Sequence, residues 1–216
     1  MNYLKQNKKI KASSKDGVIV YNFGIPARKA RDGFTTCRKA KNCIPGCYAR
    51  QGAYLWPVVA NAYEKRLALA RGPRAEFTMG ISADIEIALK RAKGKQVYIR
   101  IHDSGDFFSL NYALAWMEIV ADYPDVKFYA YTKEVKMLGH WELPENMRLV
   151  FSYGGKEDKL ISPDMPHSRV FETTAGLKKA GYIDASKDDL LVFKGKKIGL
   201  AYHGNKKFSN TSWGKV

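Results

Sequence analysis

The chain has three cysteines among its 216 residues, Cys37, Cys43 and Cys47, and all fall on one stretch with the spacing C-x5-C-x3-C. Thiolates are soft ligands that select iron–sulfur clusters, zinc or copper, and three of them on a short loop can reach a single inorganic centre. A cubane of four irons takes four ligands. Three cysteines therefore leave one iron for a small molecule, water or another side chain. The competing use is structural zinc, with His102, His167 or His203 as fourth ligand, but such sites usually draw cysteines in close pairs from two hairpins. The spacing favours an iron–sulfur cluster, either 4Fe–4S or the 3Fe–4S form that remains when the labile iron is lost. Pro45-Gly46, between the last two cysteines, predicts a turn that lets the loop curl around such a centre, with helix starting near Tyr48.

A second constellation is His102-Asp103-Ser104-Gly105-Asp106, where two carboxylates, an imidazole and a hydroxyl follow a predicted strand. Gly105 permits a tight turn, and polar groups at a strand's end can hold a small ligand, with Asp103 or Asp106 accepting from an ammonium or a ribose hydroxyl. An Asx-type turn with a helix cap is the plainer reading of the same residues. Gly154-Gly155 would let backbone approach a ligand or simply make a turn. His203 ends the last predicted strand and could face the cluster, whereas His140 and His167 read as surface or core-edge residues.

The elements that would position these groups alternate along the chain. Val18–Tyr21 reads as an edge or lead-in strand, Ala49–Arg71 as helix interrupted at Pro57, Phe77–Ile81 as strand, Asp84–Ala92 as helix and Val97–His102 as strand. Ser109–Tyr123 reads as an amphipathic helix capped by Ser109, followed by strand Lys127–Thr132, a helical piece near Val135–Trp141 and strand Arg148–Tyr153. Shorter strands at Val170–Glu172, Leu190–Phe193 and Ile198–His203, with a helix at Ala175–Ala180, complete the pattern. This predicts an α/β fold with a largely parallel sheet whose functional residues gather at the carboxyl ends of the strands. In the aromatic run Phe128, Tyr129 and Tyr131, one face suits the core and the other could stack on a base.

Length and composition fit one domain over residues 1–216, with 1–16 a basic, Lys- and Asn-rich arm expected to be mobile. No run approaches the roughly eighteen apolar residues of a membrane span, and the amino terminus is too polar for a signal peptide, so a soluble, cytoplasmic protein with reduced thiols is expected. The net charge of +16 makes nucleic acid a candidate partner, although the lysines are also spread as on solvated faces.

Gly24-Ile25-Pro26, the cysteine loop ending Cys47-Tyr48-Ala49, the run Arg100-Ile101-His102-Asp103-Ser104-Gly105-Asp106-Phe107-Phe108, the strand Phe128–Lys133 and Ala201-Tyr202-His203-Gly204 together resemble the bacteriophage gene product 88 family. The resemblance spans most of the chain. It implies a phage-encoded, cytoplasmic protein with an iron–sulfur cluster on the cysteine loop and a partial (β/α) barrel similar to the core of radical S-adenosylmethionine enzymes. In that superfamily three cysteines, usually spaced C-x3-C-x2-C, hold a four-iron cluster whose open iron is chelated by S-adenosylmethionine. An electron donor then supplies the electron that cleaves it to a 5′-deoxyadenosyl radical. Here the spacing is wider, and Ser104-Gly105-Asp106 stands in place of Gly-Gly-Glu. Two other functions stay open: a non-catalytic iron–sulfur electron carrier or redox sensor that binds nucleic acid, and a zinc-stabilised nucleic-acid module.

Overall fold

The computed structural model describes residues 3–15 and 17–202; His203 lies outside the described residues. Seven strands form one sheet: β1 (Val18–Phe23), β2 (Gln96–Ile101), β3 (Lys127–Thr132), β4 (Met147–Ser152), β5 (His167–Phe171), β6 (Ile183–Asp184) and β7 (Lys197–Ala201), in the spatial order β1-β2-β3-β4-β5-β7-β6. Every neighbouring pair is parallel, so all strand carboxyl ends lie along one rim, and the sheet curls into a half-barrel. The parallel α/β sheet expected from the strand–helix alternation, and the partial barrel implied by the family resemblance, are therefore what the chain forms.

Six α-helices accompany the sheet: α1 (Lys8–Ser13), α2 (Pro57–Arg71), α3 (Arg74–Ala92), α4 (Leu110–Asp122), α5 (Val135–Leu138) and α6 (Thr174–Lys179). One face of the sheet packs Phe23, Ile99, Ile101, Phe128, Ala130 and Leu149 against α3 and α4, with Trp116 wedged between Phe23 and Phe77. Residues alternating with these, Val20, Tyr129, Val150 and Ile198, point to the opposite face and meet Ile10 of α1 and Val192. Strand alternation thus sorts the core into an outer helical layer and a plugged interior.

Three local expectations change. Phe77–Ile81 is not a strand, because α3 runs unbroken and Phe77, Ile81, Ile85, Ala88 and Ala92 form its buried stripe at helical spacing; a five-residue window is too short to show that period. Leu190–Phe193 belongs to a 3-10 helix, Asp189–Phe193, whose start is capped by the Asp188 carboxylate accepting from Leu190 N at 3.0 Å. The amino-terminal arm is anchored: Leu4 and Ile10 are buried, Lys5 pairs with Asn22 through two backbone bonds, and the Asp84 carboxylate accepts from the backbone N–H of Tyr3 and Leu4 at 2.6 and 2.8 Å. Lys5, Lys11 and Lys15 are exposed while Leu4 and Ile10 are buried and Lys9 turns to Asp189, a division that composition alone conceals. Among the described residues no helix is long and apolar enough to cross a membrane.

Candidate functional site

A cavity of roughly 530 Å³ opens where a parallel barrel sheet is expected to bind, at the carboxyl ends of its strands. Residues 102–106 after β2, Tyr131 and Lys133 at the end of β3, Ser152 of β4, Val170 of β5, and Leu200–Tyr202 around the end of β7 supply one wall. Cys37, Cys43 and Cys47 line the same cavity, so the long, irregular loop between β1 and α2 brings all three thiols to one space. All three are free of disulfides.

The cysteine loop has little regular structure and is held by contacts at both ends. Arg28, in the left-handed region at φ 65°, donates its N–H to Cys37 Sγ at 3.3 Å and Thr36 Oγ1 donates to Pro26 O at 2.5 Å. Further along, Gly154 O accepts from Lys41 N and Cys43 N, each at 3.2 Å, and Lys39 pairs with Glu157 at 2.6 Å. Gly154 and Gly155 are thus placed away from the cavity wall: their own N–H groups donate to the Asp158 carboxylate at 2.9 and 2.8 Å, and their role is to dock the cysteine loop.

Asp103, Ser104, Gly105 and Asp106 do line the cavity, but the two carboxylates are largely committed to the protein itself. Asp103 Oδ2 accepts from Tyr63 OH at 2.9 Å, Asn7 Nδ2 at 3.0 Å and Tyr54 OH at 3.3 Å, and its carbonyl accepts from Tyr48 OH. Its other oxygen lies so close to Gly24 that a Cβ there would collide with it. Asp103 is a hub joining the arm, the cysteine loop and α2. Asp106 accepts from Thr132 Oγ1 at 2.6 Å, Phe107 N at 2.8 Å and Lys133 N at 2.9 Å, which ties the β2 turn to the end of β3. Gly105, at φ 87°, turns against Ile25, where any side chain would clash. Of this group, the buried Ser104 hydroxyl and Asp103 Oδ1 have no hydrogen-bond partner.

The histidines separate clearly. His102 is buried against Phe23 and Phe107 with Nε2 2.8 Å from Tyr112 OH, and burial together with Arg100 pushes its imidazole down to about 3, so it is neutral at physiological pH. His167 uses both ring nitrogens, on Met165 O at 2.9 Å and Tyr182 OH at 3.2 Å, which removes it as a metal ligand.

Burial, with Asp106 nearby, pushes the Cys37 thiol up to about 12, and burial likewise raises Cys47. Burial opposes the charge on Lys133, yet Cys43, Asp106 and Cys37 hold its amine above the ordinary value, and Lys133 Nζ donates to Ser152 Oγ at 3.0 Å. Among the described residues no three His, Cys, Asp or Glu side chains gather tightly enough to enclose one metal ion.

Several wall residues escape the motif-based reading: Tyr48, Tyr54 and Tyr63, packed edge to face at 5.8 and 5.6 Å between centroids, and Arg100 and Lys9 on the floor. Arg100 had a visible signal, a lone cation inside the apolar run Val97–Ile101. The tyrosines and Lys9 had none, since their convergence on Asp103 and Asp189 depends on tertiary packing.

Comparison with known proteins follows from this geometry. The family model described as Gene product 88 matches residues 1–211. The Gene 88 proteins of Mycobacterium phage L5 and Mycobacterium phage D29 are each 28% identical over 140 residues, covering 62% of this chain and 57% of theirs, so the aligned part spans little more than half the length of those relatives. No solved structure matches the chain significantly. With nearly its whole length matched, the chain belongs to the Gene product 88 family.

Proposed function

We propose that this phage-family protein is an iron–sulfur protein in the host cytoplasm, with Cys37, Cys43 and Cys47 as cluster ligands and an open iron facing the strand-end cavity. The observation that carries the reading is the convergence of three undisulfided thiols on one cavity, which the polar turn 102–106 also lines. Thiolate-only donors suit iron and sulfide. Buried thiols that stay protonated on their own lose their protons when a cation arrives, so loading would be coupled to proton release.

If S-adenosylmethionine is the small molecule at the open iron, the cluster would supply one-electron reductive cleavage, drawing on an external electron donor. The protein's share is to position and exclude. Ser104 offers an unpartnered hydroxyl at the cavity wall, Lys133 a cation beside the thiols, and Tyr48, Tyr54 and Tyr63 an apolar screen anchored on Asp103. The zinc-stabilised nucleic-acid module loses His167, whose ring nitrogens are both engaged, whereas His102 lines the cavity with its Nδ1 unpartnered. A second reading keeps the cluster without catalysis, as a redox sensor on nucleic acid, favoured by the +16 charge and the exposed Trp56 (62%).

The test is anaerobic purification with iron, sulfide and zinc analysis, visible absorption and electron paramagnetic resonance, on the wild type and on Cys37→Ala, Cys43→Ala and Cys47→Ala. Iron and sulfide lost in each variant is the expected result; stoichiometric zinc without iron or sulfide would overturn the cluster. Absence of 5′-deoxyadenosine after adding S-adenosylmethionine and reductant would remove the enzymatic version, and salt-dependent DNA or RNA binding would then support the sensor.

A further inference from the structure

The cavity has two chemically different ends. At one are the thiols, Lys133 and Asp106. At the other, Lys9 and Arg100 share a single carboxylate, Asp189, with Lys9 Nζ 2.6 Å from Oδ1 and Arg100 Nη1 2.8 Å from Oδ2. Asp189 is fully buried and its Oδ2 also accepts from Tyr129 OH at 2.9 Å, so three groups share one carboxylate. The two cations keep donors to spare. Arg100 commits two of its five N–H donors, to Asp189 and to His102 O at 3.3 Å, and Lys9 commits one of three. Both line the cavity, with Lys8 at its rim.

A second, independent feature points to a ligand. The Tyr131 hydroxyl is buried, lines the same cavity and has no hydrogen-bond partner, while the Arg100 guanidinium lies 5.1 Å from its ring centroid. Buried polar atoms are nearly always paired. An orphan hydroxyl beside two cations with spare donors is the arrangement that an incoming oxyanion completes, since each donor then gains a charge-assisted bond. Of the other carboxylates in the wall, Asp106 accepts from Thr132 and backbone N–H groups and Asp103 Oδ2 from Asn7 and the tyrosines, while Asp103 Oδ1 has no hydrogen-bond partner.

We propose that the floor of the cavity is an anion-recognition site in which Lys9, Arg100 and the Tyr131 hydroxyl bind the phosphate or carboxylate end of a small-molecule substrate. That the substrate's far end meets an iron–sulfur cluster rests on the reading above; the anion site itself does not.

The experiment is an amide-shift titration by NMR of the full, metal-free chain with two matched pairs of probes, glycerol 3-phosphate against glycerol and benzoate against benzamide. Saturable shifts at Arg100, Tyr131 and their neighbours are expected for at least one charged probe, and none for its neutral partner; which acid binds assigns phosphate or carboxylate. Lys9→Met should weaken the charged probe about tenfold and Tyr131→Phe severalfold, with Lys15→Met, on the surface against Asp188, unchanged. No saturation by either acid, or saturation indifferent to both floor variants, would overturn the proposal. Should Lys9→Met fail to fold, Tyr131→Phe alone decides. Cys37→Ala is expected to remove iron but keep anion binding, so failure of the cluster reading and failure of the anion site give different results.

Discussion

Asp189→Asn tests the construction of the half-barrel floor. The carboxylate is fully buried and serves Arg100, Lys9 and Tyr129 at once, and its backbone N–H donates to Ser13 Oγ at 2.9 Å, joining α1 to the 3-10 turn that plugs the interior. Burial alone would raise its pKa, but Arg100 and Lys9 override this and hold it at about 2. A carboxylate depressed in the folded state stabilises that state above its unfolded value near 3.9 and loses the contribution as pH falls through about 2. The gap corresponds to about 2 kcal/mol. The amide is nearly isosteric, so the variant removes charge without removing volume, and it leaves two cations facing each other with no counter-charge. Breaking a buried pair in this way costs roughly 3–5 kcal/mol. In urea this is a midpoint lowered by on the order of 1–2 M at pH 7. The decisive comparison is between pH 5 and pH 2: the wild type should lose about 2 kcal/mol that the variant has already lost, so the two stability curves converge in acid. A variant within about 1 kcal/mol of the wild type at pH 7 would refute the argument, as would two curves that run parallel into acid.

Other expectations follow from single contacts. Gly24→Ala forces a methyl into the Asp103 carboxylate and Tyr63, and thermal unfolding should show a loss of at least about 2 kcal/mol. Tyr63→Phe removes one hydroxyl from Asp103 while Asn7 and Tyr54 remain, and a smaller loss of about 1 kcal/mol is expected in the same assay. Asn146→Ala strips the Nδ2 donor that serves the carbonyls of Val120, Tyr123 and Val126, and unpairing them at the end of α4 should cost about 2–3 kcal/mol by urea titration.

The legible part of this protein was what repeats along the chain. Alternation of strands with helices gave the parallel sheet, and Ser109 announced α4, where its hydroxyl accepts from Tyr112 N at 3.2 Å. Local sequence misled wherever a tertiary partner decided the outcome. Phe77 and Ile81 look like a strand until Ile85 and Ala88 extend their stripe, and Leu190–Phe193 looks like a strand although the sheet interior takes it as a plug. Gly154-Gly155 illustrates the ambiguity of glycine: the pair does permit a close backbone approach, but what approaches is the cysteine loop, through Gly154 O, and not a ligand.

The site itself shows why side-chain chemistry read from a motif overstates what is available to a ligand. Asp103 and Asp106 have the right type and place for binding an ammonium or ribose, yet in a low-dielectric wall an unpaired carboxylate is so costly that the fold supplies its own donors. The groups left over are one oxygen of Asp103, the Ser104 and Tyr131 hydroxyls, and the spare donors of Arg100 and Lys9, of which the last three residues lie outside the motif. Lys9 reaches the floor because Leu4 and Ile10 bury the amino-terminal arm and Asn7 caps α1, its side chain accepting from Ile10 N at 2.9 Å. The arm is therefore part of the site, closing the open side of the half-barrel while carrying one of its cations inward. It follows that loosening the arm by Leu4→Ala, at a side chain that does not itself line the cavity, should weaken anion binding together with stability, whereas Tyr131→Phe should weaken binding alone.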